Sequence, residues 1–228
     1  MSHRHASVLP VGAAGHAELR EDLVRYARQM LAAGLVSGTS GNLSARTSDG
    51  ASCLVTPSGV DYESMLGADL IEMGLDGSLR SGRLKPSVDT AIHLAIYRAR
   101  ADVGAVIHTH SPFAAAFSAV GAPIPPLSSE WGGFLGGAVR VLDYVPPAQD
   151  DTGEAVAEGL GADRAVLLPH HGVLAVGESL PKAHQAAVAV EEGARLAYLA
   201  SRLGKAEPVP EAELRRIYDF IHRRYGQR

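Results

Sequence analysis

The spacing of apolar and polar positions divides the chain into a succession of short strands and helices. From His16 to about Leu35, Leu19, Leu23, Met30 and Leu31 recur at helical spacing, predicting an amphipathic helix that stops near Gly34. Short strands follow near 43–47 and 52–56, joined at Asp49-Gly50, and another near 69–74 runs into the turn Asp76-Gly77. Pro86-Ser87 opens a helix to about Arg100. Ile92, Leu94, Ala95 and Ile96 supply its buried face, Ser87 its N-cap and Asp89 an acid in its first turn. The apolar run at 104–110 predicts a strand ending in His108-Thr109-His110, followed by a helix from about Pro112 to Val120. Beyond the breaks at Pro123, Pro125 and Pro126, strand signals recur at 138–145 and a helical pattern near 150–161. A buried strand at Ala165-Val166-Leu167-Leu168, more strand at 173–176, and helices at about 180–203 and 210–225 complete the chain. This irregular alternation predicts a mixed three-layer α/β domain on one central sheet.

Composition narrows the class without changing that picture. The 228 residues suit a single domain over 16–228, with 1–15 as a flexible leader. Hydrophobic residues at 46% and charged residues at 20% are ordinary for a soluble globular protein. No apolar run nears the roughly 20 residues of a membrane span, and the N-terminus leads into no signal-peptide core. A formal charge of −4 without a basic block gives no footprint for nucleic acid. Cys53 is the single cysteine, so no internal disulfide framework exists and a reducing cytoplasm is the expected compartment. Lysine occurs only at 85, 182 and 205, which leaves Lys85 as the one Schiff-base candidate near the predicted centre.

The chemistry-bearing residues gather around the histidine strand. Residues i and i+2 of a strand face the same way, so His108 and His110 project together, roughly 6.5 Å apart by strand rise. Two imidazoles so placed can converge on one divalent ion. A second pair, His170-His171, stands before Gly172, and an extended backbone turns at most one of the two toward the first pair. Asp89 is a candidate oxygen ligand. Three histidines and a carboxylate suit zinc or a neighbouring first-row metal. Taken alone, the small loops at Thr39–Ser44 and Thr56–Gly59 are ordinary turns, and Ser87 an ordinary helix cap.

Four ordered stretches give the chain a family likeness: GLVSGTSGNLSAR (34–46), TPSG (56–59), KPSVDTAIHLAIYRARADVGAVIHTHSP (85–112) and LLPHHGVLAVG (167–177). With their separations, the chain resembles the class II aldolase/adducin family. The resemblance implies a three-layer domain whose central sheet is mainly antiparallel and flanked by helices. It implies metal ligation by His108, His110, His171 and Asp89, with His170 a neighbour, and phosphate binding by Ser40, Gly41, Asn42, Ser58, Gly59 and Ser87. It further implies acid–base roles for Asp89, Glu130 and Tyr225, the last reaching a neighbouring subunit's site within a homotetramer. The implied cofactor is a divalent metal, zinc first, with manganese, cobalt or iron as alternatives.

The implied reaction is cleavage of a ketose 1-phosphate of the L-fuculose 1-phosphate kind to dihydroxyacetone phosphate and an aldehyde, through an enediolate that the metal stabilises. Epimerisation of an L-ribulose-5-phosphate-like sugar or decarboxylation of a sugar-acid phosphate would use the same site. In this family the aldolases carry glutamate, and the epimerases aspartate, at the position of Asp89. A non-enzymatic adducin-like scaffold would dispense with the ligands, all of which this chain keeps. One departure stands out: the family's P-S-S reads Pro86-Ser87-Val88 here, and valine cannot donate a hydrogen bond to a phosphate.

Overall fold

The sheet's connectivity explains how residues far apart in sequence reach one place. The computed structural model describes residues 16–146 and 151–224, so the leader at 1–15 and Tyr225 lie outside the described residues. Seven strands run β1 (Asn42–Arg46), β2 (Ser52–Val55), β3 (Ile71–Gly74), β4 (Leu79–Ser81), β5 (Ala105–Thr109), β6 (Ala165–Leu168) and β7 (Gly172–Gly177). They form one sheet in the order β4-β3-β2-β1-β5-β7-β6, every ladder antiparallel. The helices are α1 (Ala17–Ala32), α2 (Thr90–Ala99), α3 (Pro112–Ala119), α4 (Ser129–Leu135), α5 (Thr152–Leu160), α6 (Leu180–Leu203) and α7 (Glu211–Arg223).

The period-2 alternation of strand side chains divides the core in two. Leu43, Ala45, Leu54, Ala105, Ile107, Val173 and Ala175 face α1, α3 and α6 on one side. Cys53, Val55, Val106, Leu174 and Val176 face α2 and α5 on the other. The result is the expected three layers around a buried antiparallel sheet. His108 shares the parity of Val106 and therefore projects on the side of α2, the helix that Asp89 precedes.

Two expectations need correction, and one helix was not expected. The helix after Pro86 starts at Thr90, with Asp89 rather than Ser87 at the N-cap position (φ −87°, ψ 6°), and Asp89 makes no side-chain cap bond. The stretch 138–145 forms no strand; its alternation serves only isolated bridges, Val139 to Ile124 and Val141 to Leu167. Helix α4, which the sequence analysis did not foresee, begins where Ser128 Oγ accepts the amides of Glu130 and Trp131.

Candidate metal centre

Three strands deliver the histidines. β5 ends at Thr109 beside β1 and β7, with Asn42 the cross-strand partner of His108 and Val173 that of Thr109. β6 and β7 form a hairpin whose three-residue loop is Pro169-His170-His171, with Leu168 facing Gly172. His170 takes a left-handed conformation (φ 56°) at the loop's tip, which is exposed, and His171 turns back toward β5. Gly172 permits this approach, because a Cβ there would collide with the Thr109 carbonyl oxygen.

His108, His110 and His171 consequently present one ligand nitrogen each, all within 4.8 Å of one another. His108 Nδ1 donates to the Val173 carbonyl at 2.8 Å, which fixes the ring and leaves Nε2 as the lone-pair nitrogen facing the cluster. That nitrogen lies 2.8 Å from His110 Nε2 and 3.9 Å from Asp89 Oδ2. Burial pushes the His108 imidazole down to about 3, against the opposing pull of Asp89. His110 is lowered by burial and by His171. Both rings are thus neutral at physiological pH, the form that binds a metal. Burial would raise Asp89, but His108, the Asn42 hydrogen bond and His171 together outweigh it and hold the carboxyl below its ordinary value. Three imidazole nitrogens beside an ionised carboxylate are a donor set that fits zinc or a neighbouring divalent metal.

The backbone around Asp89 explains why its carboxylate is available. Ser87 Oγ accepts the Asp89 amide at 3.3 Å, and the Ser87 carbonyl accepts the Thr90 hydroxyl at 2.6 Å, so the helix start is satisfied without the aspartate side chain. Instead Asp89 Oδ2 accepts Asn42 Nδ2 at 2.7 Å. Asn42, expected among the phosphate donors, is buried and directs its amide to Asp89.

The other loop residues are laced together near this point. Pro57 and Pro86 form an antiparallel bridge, the Ser58 amide donates to the Lys85 carbonyl, and the Ser87 amide to the Thr56 carbonyl. Ser58 and Gly59 are exposed on one side of this bridge, Ser87 is buried on the other, and Ser40-Gly41 lead directly into Asn42. Val88 is 77% exposed beside them. Glu130 is not part of this gathering. It is exposed on α4 in a groove it shares with Gln185, Glu213 and Arg216, and no histidine lines that groove.

Sequence reasoning missed a buried polar chain beneath the site. His93 Nδ1 lies 2.7 Å from Ser44 Oγ, which lies 2.8 Å from the Tyr97 hydroxyl. His93 stands one helical turn after Asp89, and that i, i+4 spacing was the available signal.

Comparison with known proteins agrees with this fold. The family model for the class II aldolase and adducin N-terminal domain matches residues 21–198. A 5-deoxy-D-ribulose 1-phosphate aldolase of Bacillus thuringiensis serovar kurstaki is 33% identical over 198 residues, covering 87% of this chain and 92% of that protein. An L-ribulose-5-phosphate 4-epimerase of Salmonella paratyphi B is 35% identical over 196 residues, covering 81% and 83%. Among solved structures, an L-fuculose 1-phosphate aldolase superposes with a TM-score of 0.86 at 28% identity, over 90% of this chain and 97% of its own.

Proposed function

The chain belongs to the class II aldolase and adducin family, and on that premise we propose that it is a divalent-metal-dependent aldolase. Its substrate is a ketose 1-phosphate, of the L-fuculose 1-phosphate kind, and its products are dihydroxyacetone phosphate and an aldehyde. The observation that carries the reading is the convergence of three histidine nitrogens within 4.8 Å beside an ionised, exactly oriented carboxylate that no helix cap consumes. His108, His110 and His171 hold the metal, zinc first, with Asp89 alongside. The bound cation supplies Lewis acidity for the negative charge that carbon–carbon cleavage leaves on the ketose oxygens.

The protein's own groups then manage the protons. The C3–C4 bond breaks with its electron pair retained at C3 of the dihydroxyacetone phosphate half. Tyr225, from a neighbouring subunit, takes the proton of the C4 hydroxyl as that oxygen becomes the aldehyde and passes it to the ionised Asp89, which then delivers it to C3, so that both groups return to their starting forms. Asn42 holds Asp89 in the orientation this transfer needs. Ser40, Gly41, Ser58, Gly59 and Ser87 bind the phosphate with hydroxyls and backbone amides. Glu130 contributes only across a subunit boundary. Residues 16–228 act as one domain within a cytoplasmic homotetramer.

L-ribulose-5-phosphate 4-epimerase-like activity is the second reading, favoured by the aspartate at position 89 and by the epimerase relative. It uses the same cleavage, followed by rotation of the aldehyde and re-formation of the bond. Decarboxylation of a sugar-acid phosphate is the third.

Activity on ketose phosphates, scored separately for cleavage, epimerisation and carbon dioxide release, tests these readings. The expected outcome is dihydroxyacetone phosphate release that a chelator abolishes and divalent metal restores, with stoichiometric metal in fresh protein and none in a His108→Ala/His110→Ala variant. Borohydride trapping of substrate on Lys85, with activity indifferent to chelator, would replace the metal reading by a Schiff-base one. Protein that neither contains nor takes up metal would favour the scaffold.

A further inference from the structure

Two side-chain bridges, one behind the other, join β1 to α2 beneath the metal centre. In the first, Asn42 Nδ2 donates to Asp89 Oδ2 at 2.7 Å. In the second, Ser44 Oγ lies 2.7 Å from His93 Nδ1 and 2.8 Å from the Tyr97 hydroxyl. Asn42 and Ser44 share a face of β1 by the period of 2, while Asp89, His93 and Tyr97 follow one another at four-residue spacing from the N-cap position of α2. All but Asp89 are buried, His93 completely. Among the described residues, three buried side-chain nitrogen or oxygen atoms have no hydrogen-bond partner, and two of them, Asn42 Oδ1 and His93 Nε2, belong to this layer. A buried polar atom left unmade is costly, and the other buried side chains around His93 on α2, Ile92, Leu94, Ala95 and Ile96, are apolar.

The Ser44 hydroxyl has one hydrogen to give, and the tautomer of His93 follows from where it goes. Burial raises the Tyr97 phenol well above its ordinary value, so that hydroxyl keeps its hydrogen. Its side-chain partner is Ser44 Oγ, which accepts it and turns its own hydrogen to His93 Nδ1. A neutral imidazole that accepts at Nδ1 carries its hydrogen on Nε2. The layer therefore holds one spare donor, His93 Nε2–H, and one spare acceptor, Asn42 Oδ1.

We infer that His93 is a positioning residue for Asp89: its Nε2–H, through one buried water, holds Asn42 Oδ1 and so fixes the Asn42 amide with its NH2 toward the carboxylate. This role rests on the metal-centre reading and extends it to a residue that touches neither metal nor substrate. Asn42 Oδ1 and His93 Nε2 do not meet directly, and a water can accept from one while it donates to the other. Without that donor the Asn42 amide is free to turn over and set its oxygen against Asp89, where two acceptors would face each other. The carboxylate would then leave the place from which Oδ2 approaches His108 Nε2 to 3.9 Å.

The test uses the full-length protein, with Zn2+ and Co2+ as probes. In nitrogen-15 spectra of the zinc-loaded protein, the His93 ring should carry its hydrogen on Nε2; hydrogen on Nδ1 overturns the inference. Two variants then separate the two nitrogens. His93→Asn keeps a polar group near the Nδ1 position and loses the Nε2 donor, whereas His93→Gln reaches the Nε2 position with an amide and gives up the Ser44 contact. Co2+ affinity, read from visible absorption, should fall about tenfold in His93→Asn and stay within about threefold of wild type in His93→Gln. Urea unfolding of the metal-free variants is followed alongside, because a role confined to folding would change stability and leave the two affinities equal. Equal affinities, or the reverse order, overturn the inference. Should neither variant fold, Tyr97→Phe removes the hydroxyl that orders the chain: part of the His93 hydrogen should move to Nδ1 and Co2+ binding should weaken, and no change in either overturns the inference. Wild-type protein that takes up no Co2+ removes the metal centre and this role with it. Uptake with the wrong order of variants removes the role of His93 alone.

Discussion

At the scale of single residues, buried imidazoles set a pH dependence that is independent of catalysis. His93, wholly buried, is pushed down to about 4 by burial against the pull of Asp89, and His108 to about 3. In the unfolded chain both titrate near 6.5. The unfolded state therefore binds more protons below that pH, and stability falls as pH falls from about 6.5 towards 4, by about 1 kcal/mol per pH unit for each histidine. Urea unfolding of chelator-treated protein at pH 7.5, 6.0 and 5.0 should show this slope, and His93→Gln should remove its share. A slope unchanged by His93→Gln would mean that His93 does not stay neutral in the fold. Single residues were also unevenly legible in the sequence. His108 and His110 declare themselves because a period of 2 places them together, whatever else the chain does. Asn42 does not, since its partner Asp89 is 47 positions away and only the sheet brings them together.

At the scale of elements, strong apolar patterns were readable and weak or glycine-bearing ones were not. The run 104–110 and the long pattern of α6 announce themselves. β4 is three residues at the sheet's edge, two of them exposed, and carries no periodic signal. α4 contains Gly132-Gly133, a pair of poor helix formers, yet Gly133 is where Ile217 of α7 packs so closely that a Cβ would collide with it. α6 hides a further device in its apolar face. Glu191 is buried, and its two carboxylate oxygens accept the amides of Phe113 and Ala114 at 3.0 and 2.9 Å, holding the first turn of α3 just after His110. Glu191→Ala should lower stability by about 1–3 kcal/mol and weaken metal affinity, while Glu191→Gln, which keeps one acceptor, recovers part of both. Denaturation together with metal titration checks this. Metal affinity unaltered in the alanine variant would confine Glu191 to a purely structural role.

At the scale of the molecule, the alternation of strands and helices was enough to foresee three layers and one sheet, whereas the order of the strands was not, because it depends on pairings between distant segments. Nor does the chain's own surface look finished. Tyr198, Leu199 and Leu203 of α6 are 49%, 48% and 92% exposed, and Val120 after α3 is 77% exposed. Such side chains suit burial against further copies of the chain. Sedimentation should accordingly give a species near four times 23.8 kDa. Leu199→Asp/Leu203→Asp should dissociate it and lower activity with it, and a fully active monomer would discard the shared sites. The position of the ligands within the sheet has a last consequence, for folding. β5 and β7, which carry them, are neighbours in space but their paired residues are more than 60 positions apart in sequence. Closing that ladder, together with the equally long-range pairing of β5 with β1, carries the loop-closure entropy of the sheet's centre. The three nitrogens therefore come together only once the chain is nearly native, and a metal cannot template an early intermediate. It acts instead as a clasp on the finished fold, slowing unfolding far more than it speeds folding.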